Sequence, residues 1–198
     1  MAKYDNPHVT SNTPRMGNAV TRAIGAAILF LLGWKVKGQL ADKPKAVLIG
    51  APHTSNWDFF LAMGAMLSVG LKFSWMMKKE AFFFPFKGLL KSLGGVPIDR
   101  SSSHDVTTQM ADWFEIQDMA WLGLTPEGTR SKVETFKKGY LRIAYAAKLP
   151  VFLVVVDGKN KEVLLDKLWP LTGDIERDNS DIKAYYDQNY VGVRPEKS

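Results

Sequence analysis

From residue 45 onward two periodicities take turns along the chain. Short apolar runs, partly β-branched and closed by Gly, Pro or Asp, predict strands at 45–50, 73–77, 95–98, 120–125 and 151–156, with one more over 161–165. Between them apolar residues return every three or four positions. That spacing predicts helices over 55–69, through Phe86, Leu89, Leu90 and Leu93, through Val106, Met110, Trp113 and Phe114, through Phe136, Tyr140, Ile143, Ala144 and Ala147, and over 181–189. Strands alternating with helices imply an α/β fold, a central and largely parallel sheet flanked by helices. In such folds ligands gather outside the carboxyl ends of the strands. No repeat or low-complexity stretch divides residues 41–198, which read as one domain.

The first forty residues follow a different pattern. Residues 1–14 are polar, contain two prolines and read as a flexible tail. Residues 15–40 read as a short N-terminal helix whose uncharged run, 23–34, is 12 residues long. That is well short of the roughly 20 needed to span a bilayer. It also lies too far into the chain for a secretory signal, and no small-residue cleavage site follows. Arg15, Arg22, Lys35 and Lys37 bracket the run and Trp34 ends it. This is the layout of an interfacial helix, a possible membrane anchor; a helix packed on the domain fits the same pattern.

Composition narrows the chemistry. Hydrophobic residues make up 46% of the 198 and there is no cysteine, so a packed core is expected. Thiolate metal sites, a cysteine nucleophile and disulfides are excluded. Residues 1–156 carry 19 basic against 11 acidic residues, whereas the remainder has 7 against 9. A basic N-terminal part suits an anionic partner. There is no G-x-S-x-G elbow, no Walker loop and no G-x-G-x-x-G. His8, His53 and His104 stand far apart, and the tryptophans do not interleave with a basic stripe. No metal, nucleotide cofactor or nucleic-acid partner is therefore expected.

Three clusters at predicted strand ends carry chemistry. His53 follows the first strand, with Asp58 five residues on, in the first turn of the next helix. A carboxylate there can fix the imidazole's tautomer, leaving a base for a hydroxyl that the substrate brings. Ser55-x-x-Asp58 also fits a helix capping box. Asp99–Arg100 ends the strand at 95–98, and Arg100 has the geometry for a phosphate, or for a solvated ion pair. ThrProGluGlyThrArgSer (125–131) follows the next strand. Pro126 stops the ladder, Gly128 permits close approach, and Glu127 and Arg130 project as an acceptor and a guanidinium fork. Together, on one rim, these describe hydroxyl activation beside a phosphate.

In order and separation, HisThrSerAsnTrpAsp (53–58), GlyValProIleAspArg (95–100) and ProGluGlyThrArgSer (126–131) resemble the first three sequence blocks of the glycerolipid acyltransferases, the family of the lysophosphatidic acid acyltransferases. LeuProValPheLeuValValVal (149–156) resembles the fourth, and residues 41–198 would be the acyltransferase domain. The resemblance implies transfer of a fatty acyl group from acyl-CoA or acyl carrier protein to a lysophospholipid, first of all 1-acylglycerol-3-phosphate, in phospholipid biosynthesis. It makes His53 the general base and Asp58 its partner. Arg100, Glu127 and Arg130 would hold the glycerol phosphate on a loop shaped by Gly128 and Thr129, with no cofactor or metal. The place of work would be the cytoplasmic face of a membrane, peripheral or monotopic, against an anionic surface. Pro52, Thr125 and the Leu153–Val154 pair depart from the family's usual Asn, Phe and second Pro, and bear on the acceptor more than on the reaction.

For the acyl chain, Phe82, Phe83, Phe84 and Phe86 with Trp75, Met76 and Met77 are candidates to line a site, face a membrane or fill the core. Other readings stay open: an acyltransferase for another lysolipid such as a lyso-aminolipid, an acyl-CoA thioesterase, or a non-catalytic module binding anionic lipid.

Overall fold

The computed structural model describes residues 6–55, 57–99, 101 and 105–197. In chain order the elements are α1 (Ala19–Leu31), β1 (Lys35–Gly38), β2 (Lys45–Ala51), α2 (Trp57–Val69), β3 (Phe73–Lys78), α3 (Phe86–Ser92) and β4 (Gly95–Ile98). There follow α4 (Val106–Glu115), β5 (Ala120–Leu124), α5 (Gly139–Ala146), β6 (Val151–Asp157), β7 (Glu162–Trp169) and α6 (Ile175–Asn189). The strands form one seven-stranded sheet in the order β1-β7-β6-β2-β5-β3-β4. Every neighbouring pair is parallel except β6 and β7, an antiparallel hairpin. The expected α/β fold is the observed one.

The two-residue period of the strands sorts the core into two layers. Val47, Ile49 and Ala51 of β2, with Leu122 of β5 and Leu153 and Val155 of β6, pack beneath α4, α5 and α6. Ala46 and Leu48, with Trp121, Phe152, Val154 and Val156, face the other way, toward Leu29 of α1 and Leu61, Ala65 and Met66 of α2. β6 is buried along its whole length, as expected of a central strand in such a sheet.

Helix α1 starts at a reciprocal cap. The Asn18 side chain accepts the Val20 and Thr21 N–H groups, and the Thr21 hydroxyl accepts the Asn18 N–H. It then packs on α2 through Gly25, where a Cβ would lie 2.5 Å from the Ser68 nitrogen and 2.7 Å from the Gly64 oxygen. Leu29 lies against Gly64 further along, so the last turn of α1 runs toward the first turns of α2. One face of α1 is packed on the domain, while Val20, Ile24, Phe30 and Leu31 point outward.

Three expectations need correction. The N-terminal helix does not run through residue 40, because Gly33 (φ +71°) ends it and Lys35–Gly38 form the edge strand β1 on β7. Residues 6–14 are not a loose tail. The Asn6 amide donates to the Val69 carbonyl, Leu40 N–H to the His8 carbonyl, and Val9 and Thr13 are buried. The closing helix begins at Ile175, six residues early, because the Asp174 carboxylate caps the Glu176 and Arg177 N–H groups.

Candidate active site

Because β2, β5, β3 and β4 run parallel, their carboxyl ends open on one rim, and the three sequence clusters follow three of these ends. His53 comes two residues after β2, and Asp58 is the second residue of α2. One carboxylate oxygen, Asp58 Oδ2, lies 3.0 Å from His53 Nδ1 and accepts the main-chain N–H groups of Thr54 at 2.7 Å and Ser55 at 2.8 Å. An ionised carboxylate only accepts, so Nδ1 carries the proton and Nε2 is left with its lone pair. The same oxygen that pins the imidazole also closes the turn leading into α2. Asp58 is 4% exposed, and the Thr54 hydroxyl, equally buried, accepts the Arg194 N–H from the C-terminal segment.

The loop after β5 meets this turn from the side. Thr125 accepts the Gly128 N–H at 3.2 Å, and Gly128 takes φ +64°, which suits glycine. The Lys137 side chain lies over Gly128, so a Cβ there would meet its Nζ at 2.7 Å. Glu127 does not project beside Arg130 as expected. Its carboxylate turns inward and accepts the His53 main-chain N–H, with oxygens at 2.9 and 3.1 Å. Burial pushes its pKa up to about 7, against the pull of the His53 N–H and of the nearby imidazole and Lys183. Thr129 and Arg130 are exposed on the loop. Arg100 and His104 lie outside the described residues. Asp99 pairs with Lys79 at 2.5 Å and accepts the Ser101 N–H and hydroxyl, which holds its carboxyl well below the usual range.

His53, Asp58 and Arg130 line the mouth of a cavity of about 550 Å³ between the sheet and α2. Its walls are apolar, with Leu48, Met63, Met66, Phe73, Trp75 and Val154 prominent. Two strand glycines open it. A Cβ on Gly50 of β2 would meet nothing within 4 Å, and one on Gly123 of β5 would meet only Phe73 and the Ser74 carbonyl. Of the aromatic and methionine candidates, Trp75 and Met76 line the cavity. Phe83, Phe84 and Phe86 stand on the surface instead. The glycines escaped sequence reading although each interrupts an apolar strand run, a signal for close approach of a backbone or ligand. Among the described residues no group of carboxylates and histidines has the makings of a metal site.

The arrangement is an imidazole with its tautomer fixed, at an apolar cavity that Arg130 also lines. The Acyltransferase family model matches residues 34–157, which contain the whole constellation. The chain is 29% identical over 152 residues to a 1-acyl-sn-glycerol-3-phosphate acyltransferase of Cocos nucifera, 73% of this chain and 48% of that protein. It is 32% identical over 132 residues to the enzyme of the same name from Saccharomyces cerevisiae, 62% of this chain and 42% of that protein. It spans about half the length of these curated relatives. The fold matches the crystal structure of the 1-acyl-sn-glycerophosphate acyltransferase PlsC from Thermotoga maritima, with TM-score 0.58 and 17% identity, over 85% of this chain and 78% of that one. With the family model covering more than half of its residues, the chain belongs to the acyltransferase family.

Proposed function

We propose that the protein transfers a fatty acyl group from an acyl thioester, acyl-CoA or acyl carrier protein, to the free hydroxyl of a lysophospholipid, first of all 1-acylglycerol-3-phosphate, in phospholipid biosynthesis. The observation that carries this is the His53–Asp58 pair at the mouth of an apolar cavity. The relatives named as 1-acyl-sn-glycerol-3-phosphate acyltransferases support the acceptor.

The reaction then runs without a covalent enzyme intermediate. His53 Nε2 accepts the proton of the acceptor hydroxyl as its oxygen forms a bond to the thioester carbonyl carbon. The tetrahedral intermediate collapses, the carbon–sulfur bond breaks, and the imidazolium returns its proton to the leaving thiolate. Asp58 holds the ring and stabilises its charged form, a contribution that with the base is worth roughly 10²–10⁴ in rate. Arg130 takes the acceptor phosphate, with Arg100 joining it, while Gly128 and Thr129 shape the loop that carries Arg130. Glu127 acts as a positioning residue through the His53 main chain. The apolar cavity takes an acyl chain.

The acceptor and product are lipids, and the exposed apolar side chains mark where the protein meets them. Phe30 and Leu31 of α1 are 81% and 82% exposed, and Trp57 and Phe60 stand at the start of α2, toward which α1 runs. These side chains, with the exposed Phe84, are the ones this reading assigns to a membrane interface. No helix among the described residues is long and apolar enough to cross a membrane; in this reading the contact is peripheral or monotopic, on the cytoplasmic face.

The test is release of free thiol from palmitoyl-CoA with and without lysophosphatidic acid, for wild type and His53→Ala; the cysteine-free chain adds no background. Acceptor-dependent release lost in the variant is expected. Release independent of acceptor would make the protein a thioesterase, and vesicle binding without turnover on a panel of lysolipids and donors would make it a lipid-binding module.

A further inference from the structure

The turn that carries His53 is held at three points. Glu127 takes the His53 N–H, Asp58 Oδ2 takes the Thr54 N–H at 2.7 Å, and the Thr54 hydroxyl accepts the Arg194 N–H at 3.0 Å. The first two partners belong to the loop after β5 and to α2. The third comes from 140 residues further along the chain, beyond residues 34–157, on which membership of the family rests. Thr54 is 1% exposed, so its side chain has no bulk water to turn to.

The segment that delivers Arg194 crosses the rim of the sheet. Ile182 and Tyr186 of α6 are buried in the layer that also holds α4 and α5, and Tyr190 packs against it. Val193 packs against the opposite layer, the one that faces α1 and α2. Between Tyr190 and Val193 the chain therefore passes from one face of the sheet to the other, over the carboxyl ends of β6 and β2. The crossing is fastened along its length. Before it, the Tyr186 hydroxyl lies 3.1 Å from the Val154 carbonyl of β6 and 3.3 Å from the Ile49 carbonyl of β2. Midway, the Gly158 N–H, just past β6, donates to the Val191 carbonyl at 2.7 Å. A Cβ on Gly158 would lie 2.2 Å from the Gly192 oxygen, so only glycine lets the two main chains seat so closely. At the far end comes the bond to Thr54.

We propose that residues 190–195 form a strap that positions the catalytic base, with Thr54 and Gly158 as the positioning residues that fasten it. The inference rests on the acyl-transfer reading of His53. None of residues 190–195 lines the His53 cavity, so the strap acts through the turn. Its Tyr190, Val191 and Pro195 line a separate cleft, of about 430 Å³, with Pro52 and Glu127. Asp58 holds the Thr54 N–H and His53 Nδ1 on one oxygen, and that sharing requires Thr54 to stay in place. When the strap lifts, the outer side of Thr54 is released, the shared geometry loosens, and Nε2 loses its aim at the acceptor hydroxyl. The effect falls on turnover and not on binding, because a misaligned base slows proton transfer while the cavity and Arg130 remain.

Two substitutions unfasten the strap at different points. Thr54→Val keeps the shape of the side chain and removes the acceptor. Gly158→Ala pushes the Gly192 main chain away without touching the turn, and carries the test alone should the first variant not fold. With palmitoyl-CoA and lysophosphatidic acid, each should lose about 10–100-fold in kcat, with both KM values within about twofold. Thr54→Ser retains the acceptor and should stay within about threefold of wild type. The double variant Thr54→Val/Gly158→Ala should be no slower than the slower single one, since both break one link. Independently of turnover, the His53 ring-nitrogen chemical shifts should move away from the Nδ1–H tautomer in Thr54→Val and in Gly158→Ala, and stay in Thr54→Ser. Wild-type kcat in Thr54→Val would overturn the proposal. So would equal losses in the Val and Ser variants, multiplied losses in the double variant, or a rise in KM in place of the fall in kcat. If wild type transfers no acyl group, the ring shifts still decide. Their movement would sink the acyl-transfer reading alone and leave the strap as what positions His53; shifts that stay put would sink both.

Discussion

The carboxylate of Glu127, at the end of β5, straddles the main-chain N–H of His53, at the end of β2, with its two oxygens at 2.9 and 3.1 Å. Residues 74 positions apart in sequence are thereby tied together, and the loop that carries Arg130 is anchored on the main chain of His53. A side chain that reads in the sequence as an acceptor beside Arg130 braces the main chain of His53 in the structure.

Removing the brace should therefore slow turnover without abolishing the chemistry. Glu127→Ala leaves a buried N–H unpaired, which costs about 1–3 kcal/mol, and lets His53 drift. A fall in kcat of roughly 10–100-fold is expected, at the scale that an ångström of misplacement produces. Glu127→Gln keeps an acceptor for the N–H and should recover most of the activity. Steady-state kinetics on both variants decide it, and equal loss in the two would mean that the negative charge itself meets substrate.

The same residue gives stability a pH signature. Its folded pKa is raised, to about 7 from an ordinary 4.5, because burial disfavours the carboxylate. The folded chain then holds a proton that the unfolded chain has released, so the contribution is fully present below about pH 4.5 and is lost as pH rises through 7. Relative to Glu127→Gln, wild type should lose on the order of 2 kcal/mol across that window and run parallel to it above pH 8. Urea unfolding of the two proteins from pH 4 to 8.5 measures the difference. A constant gap would show that Glu127 stays ionised in the fold.

Asp58 carries three hydrogen bonds on one oxygen, from His53 Nδ1 and the Thr54 and Ser55 main chains. Asp58→Asn keeps the shape, but its amide cannot stabilise the imidazolium in the same way, and the ring's tautomer is no longer dictated. We expect kcat to fall by roughly 10²–10⁴ with little change in either KM. Ring-nitrogen chemical shifts of His53 in the variant, measured by NMR, should move away from the Nδ1–H tautomer. Retention of that tautomer with the loss of rate would point to charge stabilisation alone.

Much of this site was legible in the sequence because it obeys local rules. His53 and Asp58 sit on a strand end and the following helical turn, so five residues of spacing already bring them together. That the sheet is largely parallel followed from alternating strands and helices; the order β2, β5, β3, β4 did not. What escaped were relationships between distant segments. Glu127 meets a backbone N–H, which has no sequence signature, and β1 depends on β7, whose Glu162 pairs with Lys35 from 127 residues further along the chain.

The cavity's depth should set the length of the acyl chain. Gly50 faces the open space, so a side chain there fills the cavity without a clash with the protein. Gly50→Val is expected to leave the fold intact and to shift preference toward shorter acyl thioesters, with the activity ratio of C16 to C10 donors falling at least tenfold. Gly123→Val would press on Phe73, which already lies 3.0 Å from where a Cβ would be, and should cost about 1–3 kcal/mol in stability as well. Competition assays with mixed-chain donors, paired with thermal melts, separate the two effects. An unchanged chain-length profile in Gly50→Val would place the acyl chain elsewhere.

The outer face of α1 supplies the last prediction. Gly25 and Leu29 seat the helix on α2, so substitutions at Phe30 and Leu31 touch solvent and not the core. Phe30→Glu/Leu31→Glu should melt within a few degrees of wild type, because neither side chain is buried, yet it places two carboxylates where an apolar, cation-flanked surface would meet lipid. Co-sedimentation with vesicles containing anionic lipid should drop at least tenfold. Transfer to lysophosphatidic acid presented in such vesicles should fall in proportion, whereas transfer to a short-chain, water-soluble acceptor should persist. That split is the informative outcome: loss on both acceptors would mean that α1 shapes the active site itself, and loss on neither would remove α1 from the membrane-binding surface.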